Sequence, residues 1–293
     1  MQLLDGKLVS AHNKAQIKQE SDVLKSAGKR TPHLAAILVG EDPASQAYVA
    51  SKVKTCAELG FDSTLVRLDE HTEESVLLKK IEQFNTDSSI DGILVQLPLP
   101  RHINENHIIE AILPSKDVDG FHPVNQGNLM LGLPGFVPAT PYGIMLMLDY
   151  YQIQTSGLHA VVIGRSNIVG TPMSLLLSRN TQPGNCTVTL CHSRTKNLDE
   201  FCRQADILVA AIGKPGFVTA DMVKDGAIVI DVGINRIPSN ETKSGFRLFG
   251  DVEFESVAEK ASWLTPVPGG VGLMTICGLM KNTLQAYHRN TGK

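Results

Sequence analysis

The sequence has no HExxH pair, no paired CxxC and no acidic calcium loop, so no protein-bound metal is expected from its motif spacing. It has no apolar run of membrane-spanning length, because Gly, Pro or charge interrupts each one first. Met1-Gln-Leu-Leu-Asp-Gly-Lys7 lacks a basic region followed by an apolar run and cleavage site, so no signal peptide is expected. Charge of one sign is also lacking: the net charge of -3 provides no electrostatic reason for a nucleic acid or anionic membrane partner. Cys56, Cys186, Cys191, Cys202 and Cys277 form an odd set, which implies reduced thiols and a cytoplasmic setting. Without a secretory route, the sequons Asn185-Cys186-Thr187 and Asn240-Glu241-Thr242 read as chance matches.

What is present is ordinary globular material. The chain has 293 residues, 42% hydrophobic and 19% charged, a length that suits two domains. Short apolar runs alternate with helical patterns throughout, which predicts parallel α/β architecture. Strands are expected at Leu34–Gly40, Ser63–Leu68 and Gly92–Leu97, with helices over about 42–60 and 72–84. Asp42-Pro43 and Thr140-Pro141 read as cap-then-proline helix starts, since Pro in the first turn fixes φ without losing a needed donor. Residues 117–138 read as a loop. Strands then follow at His159–Ile163, Thr187–Cys191, Ile207–Ala211 and Ala227–Asp231, with helices over about 171–177 and 272–287.

Two sets of residues carry chemistry. Gly164-Arg-Ser-Asn-Ile-Val-Gly170 lies between a strand and a helix, where a Rossmann phosphate turn belongs, although Ser166 replaces the middle glycine of GxGxxG. A ligand-free connection has similar punctuation, so this motif alone is weak. The next strand ends Cys191-His-Ser-Arg-Thr195 without a carboxylate. A carboxylate there would serve the NAD ribose and repel a phosphate, whereas Arg165, Ser193 and Arg194 suit the 2′-phosphate of NADP. The second set is Tyr48 and Lys52, one helical turn apart, with Gln96 at the C-terminal end of a strand. An aromatic ring beside an amine can stack a flat heterocycle while the amine handles a proton, and a plain surface Tyr-Lys pair remains the alternative.

Tyr48-Val-Ala-Ser-Lys52, Val95-Gln-Leu-Pro-Leu-Pro100, Lys116-Asp-Val-Asp-Gly120, the glycine turn, Asp231-Val-Gly-Ile-Asn235 and Pro266-Val-Pro-Gly-Gly-Val-Gly272 resemble, in order and spacing, the FolD family of bifunctional dehydrogenase/cyclohydrolases. The resemblance covers essentially the whole chain. It departs at Ala139, where the family has Cys, and at Leu273, where it has Pro.

The resemblance implies a two-domain α/β fold: a catalytic, folate-binding domain of residues 1–139 plus 271–293, closed by the C-terminal helix, and a Rossmann-like NADP-binding domain of 140–270, with a cleft between them. It implies NADP-dependent oxidation of methylenetetrahydrofolate, hydrolysis of the methenyl product, and a homodimer formed through the cofactor domain. Lys52 would be the hydrolytic residue, as a base or a retained cation, assisted by Gln96. Tyr48 would stack on the folate and Asp119 would bind the pterin edge, with Asp117 its competitor in the same loop. Gly164, Arg165, Ser166, Ser193 and Arg194 would hold the cofactor, with Ile234 beside the nicotinamide. Gly269 and Gly270 would let backbone approach the folate. A monofunctional NAD-dependent dehydrogenase and a noncatalytic folate- or nucleotide-binding protein are the alternatives.

Overall fold

A computed structural model describes residues 1–239 and 245–292 of the chain; the sequon at 240–242 lies outside the described residues. In chain order the elements are β1 (Gln2–Leu3), α1 (Gly6–Ser26), β2 (His33–Val39), α2 (Pro43–Leu59), β3 (Asp62–Leu68), α3 (Glu74–Thr86), β4 (Gly92–Val95), α4 (Glu105–Ala111), α5 (Pro123–Leu131) and α6 (Ala139–Tyr150). There follow β5 (His159–Ile163), α7 (Gly170–Ser178), β6 (Thr187–Cys191), α8 (Leu198–Cys202), β7 (Ile207–Ala210), β8 (Ile228–Asp231), β9 (Asn235–Pro238), β10 (Phe246–Phe249), α9 (Phe254–Ala258), β11 (Trp263–Leu264) and α10 (Val271–Asn290). Among the described residues, no helix is long and apolar enough to cross a membrane.

The chain divides into two compact units, Met1–Ala11 with Thr140–Thr275, and His12–Ala139 with Ile276–Lys293. In the second unit a parallel sheet runs β3-β2-β4. Alternation along β2 sends Leu34, Ala36 and Leu38 into one core, with Val49, Cys56 and Leu59 of α2 and Leu279, Met280 and Leu284 of α10. Ala35, Ile37 and Val39 enter the other core, with Leu77 and Ile81 of α3 and Val95 of β4. A strand buried on both faces reads as a continuous apolar run, which is why β2 was legible.

The first unit holds a six-stranded sheet ordered β1-β11-β8-β7-β5-β6, with every pairing parallel. Strand β5 has β6 on one side and β7 on the other, so the strand order reverses there. Ligands of open α/β sheets bind beyond the C-terminal ends of strands at such a point.

The structure differs from the sequence reading in four places. Residues 1–11, expected in the catalytic domain, group with the six-stranded sheet because Gln2 and Leu3 pair with Trp263 and Leu264. Residues 271–275 group there as well. The expected loop at 117–138 contains α5, started by His122 Nδ1 accepting from Val124 N and by Pro123, and ended by left-handed Gly132. Helix α6 begins at Ala139, and Thr140, expected as its cap, lies inside the helix with its hydroxyl 2.8 Å from Thr275 Oγ1. All five cysteines are free and buried.

Candidate active site

In the second unit, α2 is fixed at both ends. Asp42 Oδ2 accepts from Ser45 N at 2.8 Å, Pro43 opens the first turn, and Gly60 closes the helix with φ of 74°. The buried stripe of this helix is Ser45, Val49, Lys52, Thr55, Cys56 and Leu59. The spacing therefore places an amine among core positions, and Lys52 is only 4% exposed. Its Nζ lies 4.6 Å from the centre of the Tyr48 ring and donates to Gln96 Oε1 at 3.0 Å. Gln96 follows the end of β4, its backbone N bonded to Ile37 O, and its side-chain Nε2 donates to Leu97 O at 2.6 Å. With that end of the amide engaged, the carbonyl end points at the amine.

Burial pushes the Lys52 pKa down from 10.5, while Asp119 pulls it up. Burial likewise pushes the Asp119 carboxyl up, with Lys52 pulling it down. The structure separates the two acids of the Lys116–Gly120 loop. Asp117 is 2% exposed and accepts from Phe121 N, His122 N and Asn125 Nδ2 at 3.2, 2.8 and 2.8 Å, so it builds the entry to α5. Its carboxyl is raised to about 7, burial outweighing those donors. No hydrogen bond reaches the Asp119 carboxylate among the described residues, which leaves its oxygens available to a ligand.

The first unit holds the remaining candidates. A Cβ on Gly164, where φ is 116°, would collide with Ala211 O, and one on Gly170 would collide with Gly164 O. Both glycines are thus demanded by backbone packing, as a phosphate turn requires. Ser166 Oγ accepts from Val169 N and Gly170 N at 3.2 and 3.4 Å, so this exposed serine also shapes the start of α7. Ile163 pairs with Cys191, which sets the Arg165 turn beside the 192–195 turn at neighbouring strand ends. In that second turn His192 N donates to Thr195 Oγ1, and His192 Nδ1 accepts from Arg194 N. Ser193, Arg194 and Arg165 are exposed, and no carboxylate pairs with either guanidinium among the described residues. An NADP 2′-phosphate fits this donor set.

Ile234 is 52% exposed in the turn after β8, with its Cδ1 only 2.8 Å from where a Gly272 Cβ would stand. Gly269 has φ of 111°, and Gly270 leaves no room for a Cβ against Pro266 O at 2.5 Å. Gly6 is packed against this same Gly269–Gly270 backbone. Sequence reasoning missed Gly6 and Asp251, and it quoted Asp231 in a motif without a role; the bonds of these two buried acids organise the turns after β7 and β8.

Family models match nearly the whole chain. "Tetrahydrofolate dehydrogenase/cyclohydrolase, catalytic domain" matches residues 4–119, and the corresponding "NAD(P)-binding domain" matches 138–291. The chain is 59% identical over 286 residues to a Cytophaga hutchinsonii protein named "Bifunctional protein FolD", covering 98% of this chain and 99% of that one. It is similar to the crystal structure of bifunctional FolD from Campylobacter jejuni, with a TM-score of 0.92, 50% identity and 99% coverage of both chains. It is also similar to the Trypanosoma brucei FolD structure complexed with NADP cofactor and inhibitor, with a TM-score of 0.93 and 35% identity, covering 99% of this chain and 98% of that one.

Proposed function

Because the chain belongs to the tetrahydrofolate dehydrogenase/cyclohydrolase family, we propose that it oxidises methylenetetrahydrofolate with NADP⁺ and then hydrolyses the methenyl product to formyltetrahydrofolate. The observation that carries the hydrolytic half is the buried Lys52 amine, held between the Tyr48 ring and Gln96 Oε1. This also disfavours the monofunctional alternative, since hydride transfer alone needs no such group.

When bound, the nicotinamide supplies the acceptor for the hydride that the folate nitrogens push from the methylene carbon. The protein contributes orientation. Gly164 and Gly170 would allow the backbone approach, the amides at the N-terminus of α7 would hold the pyrophosphate, and Arg165, Ser193 and Arg194 would take the 2′-phosphate. Ile234 forms an apolar wall for the nicotinamide. In hydrolysis, Lys52 Nζ takes a proton from the water adding to the methenyl carbon, its lowered pKa making the neutral amine accessible. The added hydroxyl then becomes the formyl C=O and releases its proton to solvent as one C–N bond breaks, and the Lys52 ammonium returns its proton to the departing nitrogen. Gln96 positions the amine, Tyr48 stacks on the folate, and Asp119 accepts from the pterin N–H edge. The same reading makes the enzyme a cytoplasmic homodimer joined through its NADP-binding unit.

Purified protein given methylenetetrahydrofolate and NADP⁺ should show NADPH absorbance appear, and given methenyltetrahydrofolate alone should bleach it faster than buffer does. NADPH formation without accelerated bleaching would mean a dehydrogenase only. Neither signal would mean a binding protein.

Cofactor choice has its own test. Arg165→Ala should raise the KM for NADP⁺ about tenfold to hundredfold, because one charge-assisted bond contributes about 1.5–3 kcal/mol. The KM for NAD⁺, which lacks the 2′-phosphate, should change little. Equal losses for both cofactors would assign Arg165 to the turn itself.

A further inference from the structure

Asp251 follows β10 and is fully buried at 0% exposure. A buried carboxylate costs several kcal/mol unless its oxygens are satisfied, so its partners show what holds it there. Asp251 Oδ2 accepts from Ile212 N at 2.8 Å and Gly213 N at 2.9 Å, both in the turn after β7. Oδ1 accepts from Asn235 Nδ2 at 2.9 Å, at the start of β9 and next to Ile234. A second buried acid completes the set: Asp231 Oδ1 accepts from Gly233 N at 2.9 Å and from Asp251 N at 2.8 Å. Ile234 is thereby flanked by two anchored residues, Gly233 through its backbone and Asn235 through its side chain. Gly233 has no room for a Cβ, which would collide with Asp251 Oδ1. The turn after β7 is also the one whose Ala211 O abuts Gly164 of the phosphate turn.

We propose that Asp251, acting through Asn235, is a positioning residue for the dehydrogenase reaction: one carboxylate locks the turn after β7 to the Ile234 turn and so fixes the wall against which the nicotinamide is oriented. The inference rests on the reading that Ile234 stands beside the nicotinamide. It explains why Ile234, an exposed apolar residue on a turn, is held between anchors.

Asn235→Ala cuts only the tie to the Ile234 turn, leaving both backbone bonds of Asp251. Asp251→Asn keeps the shape but sets an amide group among donors. In protein without ligand, hydrogen–deuterium exchange should quicken at least about tenfold at the amides of residues 233–235 in Asn235→Ala, and also at 212–213 in Asp251→Asn. Calorimetric titration should show NADP⁺ affinity falling about tenfold in each, with dehydrogenase kcat/KM falling by at least as much. The hydrolase rate of the same preparations on methenyltetrahydrofolate, together with thermal melting, reports that the protein is folded. Ile234→Ala is measured alongside. If Ile234→Ala leaves the dehydrogenase at wild-type rate, the proposal fails through its premise. If Ile234→Ala lowers it while Asn235→Ala and Asp251→Asn quicken exchange but leave NADP⁺ affinity and dehydrogenase unchanged, the acid is a structural tie and the proposal fails directly.

Discussion

Lys52→Met should lower cyclohydrolase kcat about 10²–10⁴-fold, the usual contribution of a positioned acid-base group, while the dehydrogenase stays within about tenfold of wild type. The asymmetry follows from chemistry: hydrolysis must remove a proton from water, whereas hydride transfer is driven by the folate nitrogens. The pH dependence has a definite sign. Burial lowers the Lys52 pKa, so the neutral amine gains population as pH rises through a value below 10.5, and cyclohydrolase kcat should climb over that range. Lys52→Arg, which stays charged, should be as inactive as Lys52→Met. Across that pH range stability rises together with activity, whereas in Lys52→Met the two part. A lysine whose folded pKa lies below its unfolded one opposes folding at neutral pH, and the penalty eases only between those two values. Lys52→Met should therefore melt higher than wild type, by about 2–4 °C for each kcal/mol recovered. A folded Lys52→Met enzyme with near-normal cyclohydrolase would remove the amine from the mechanism.

Asp119→Ala should impair both activities together, because both use the same folate. Two charge-assisted bonds to a pterin edge contribute about 1.5–3 kcal/mol each, so folate affinity should fall at least about hundredfold. Asp117→Ala should instead appear first as a lowered melting temperature, since its carboxylate holds Phe121, His122 and Asn125. A second signature separates Asp119 from a merely structural acid. Asp119 raises the Lys52 pKa, so the residual cyclohydrolase of Asp119→Ala should have its rising limb at lower pH than wild type. Wild-type folate titration and both activities intact in Asp119→Ala, or loss only through unfolding, would leave the pterin without this anchor.

The legible parts of the molecule were those where one local rule sufficed. The Asp42-Pro43 start, the glycine turn at 164–170 and the apolar runs of β2, β5 and β7 each announce themselves within a few residues. Helix α1 did not, because its buried face carries Ser10, Asn13 and Ser21 beside Val9, Ile17 and Leu24, and polar core residues dilute an amphipathic pattern. Helix α5 used the cap-then-proline device already recognised elsewhere, but with His122 as the cap, and a histidine is a rare one. Tyr48 and Lys52 were readable as a pair because helical spacing alone brings them together. The family resemblance selected Asp119 over Asp117, but the part Asp117 plays in starting α5 needed the hydrogen bonds, and the Asp231–Asp251 pair was invisible because twenty residues of chain separate its members.

The grouping of residues 1–11 with 140–275 bears on how the polypeptide can assemble itself. Strand β1 must await β11, about 260 residues downstream in the pairing of Gln2 with Trp263, and the core around β2 must await Leu279, Met280 and Leu284. Contacts so distant in sequence carry a large loop-closure entropy and form late. Neither unit is finished when its central strands have left the ribosome: one keeps an open sheet edge until β11 is synthesised, and the other an uncovered apolar face until α10 follows.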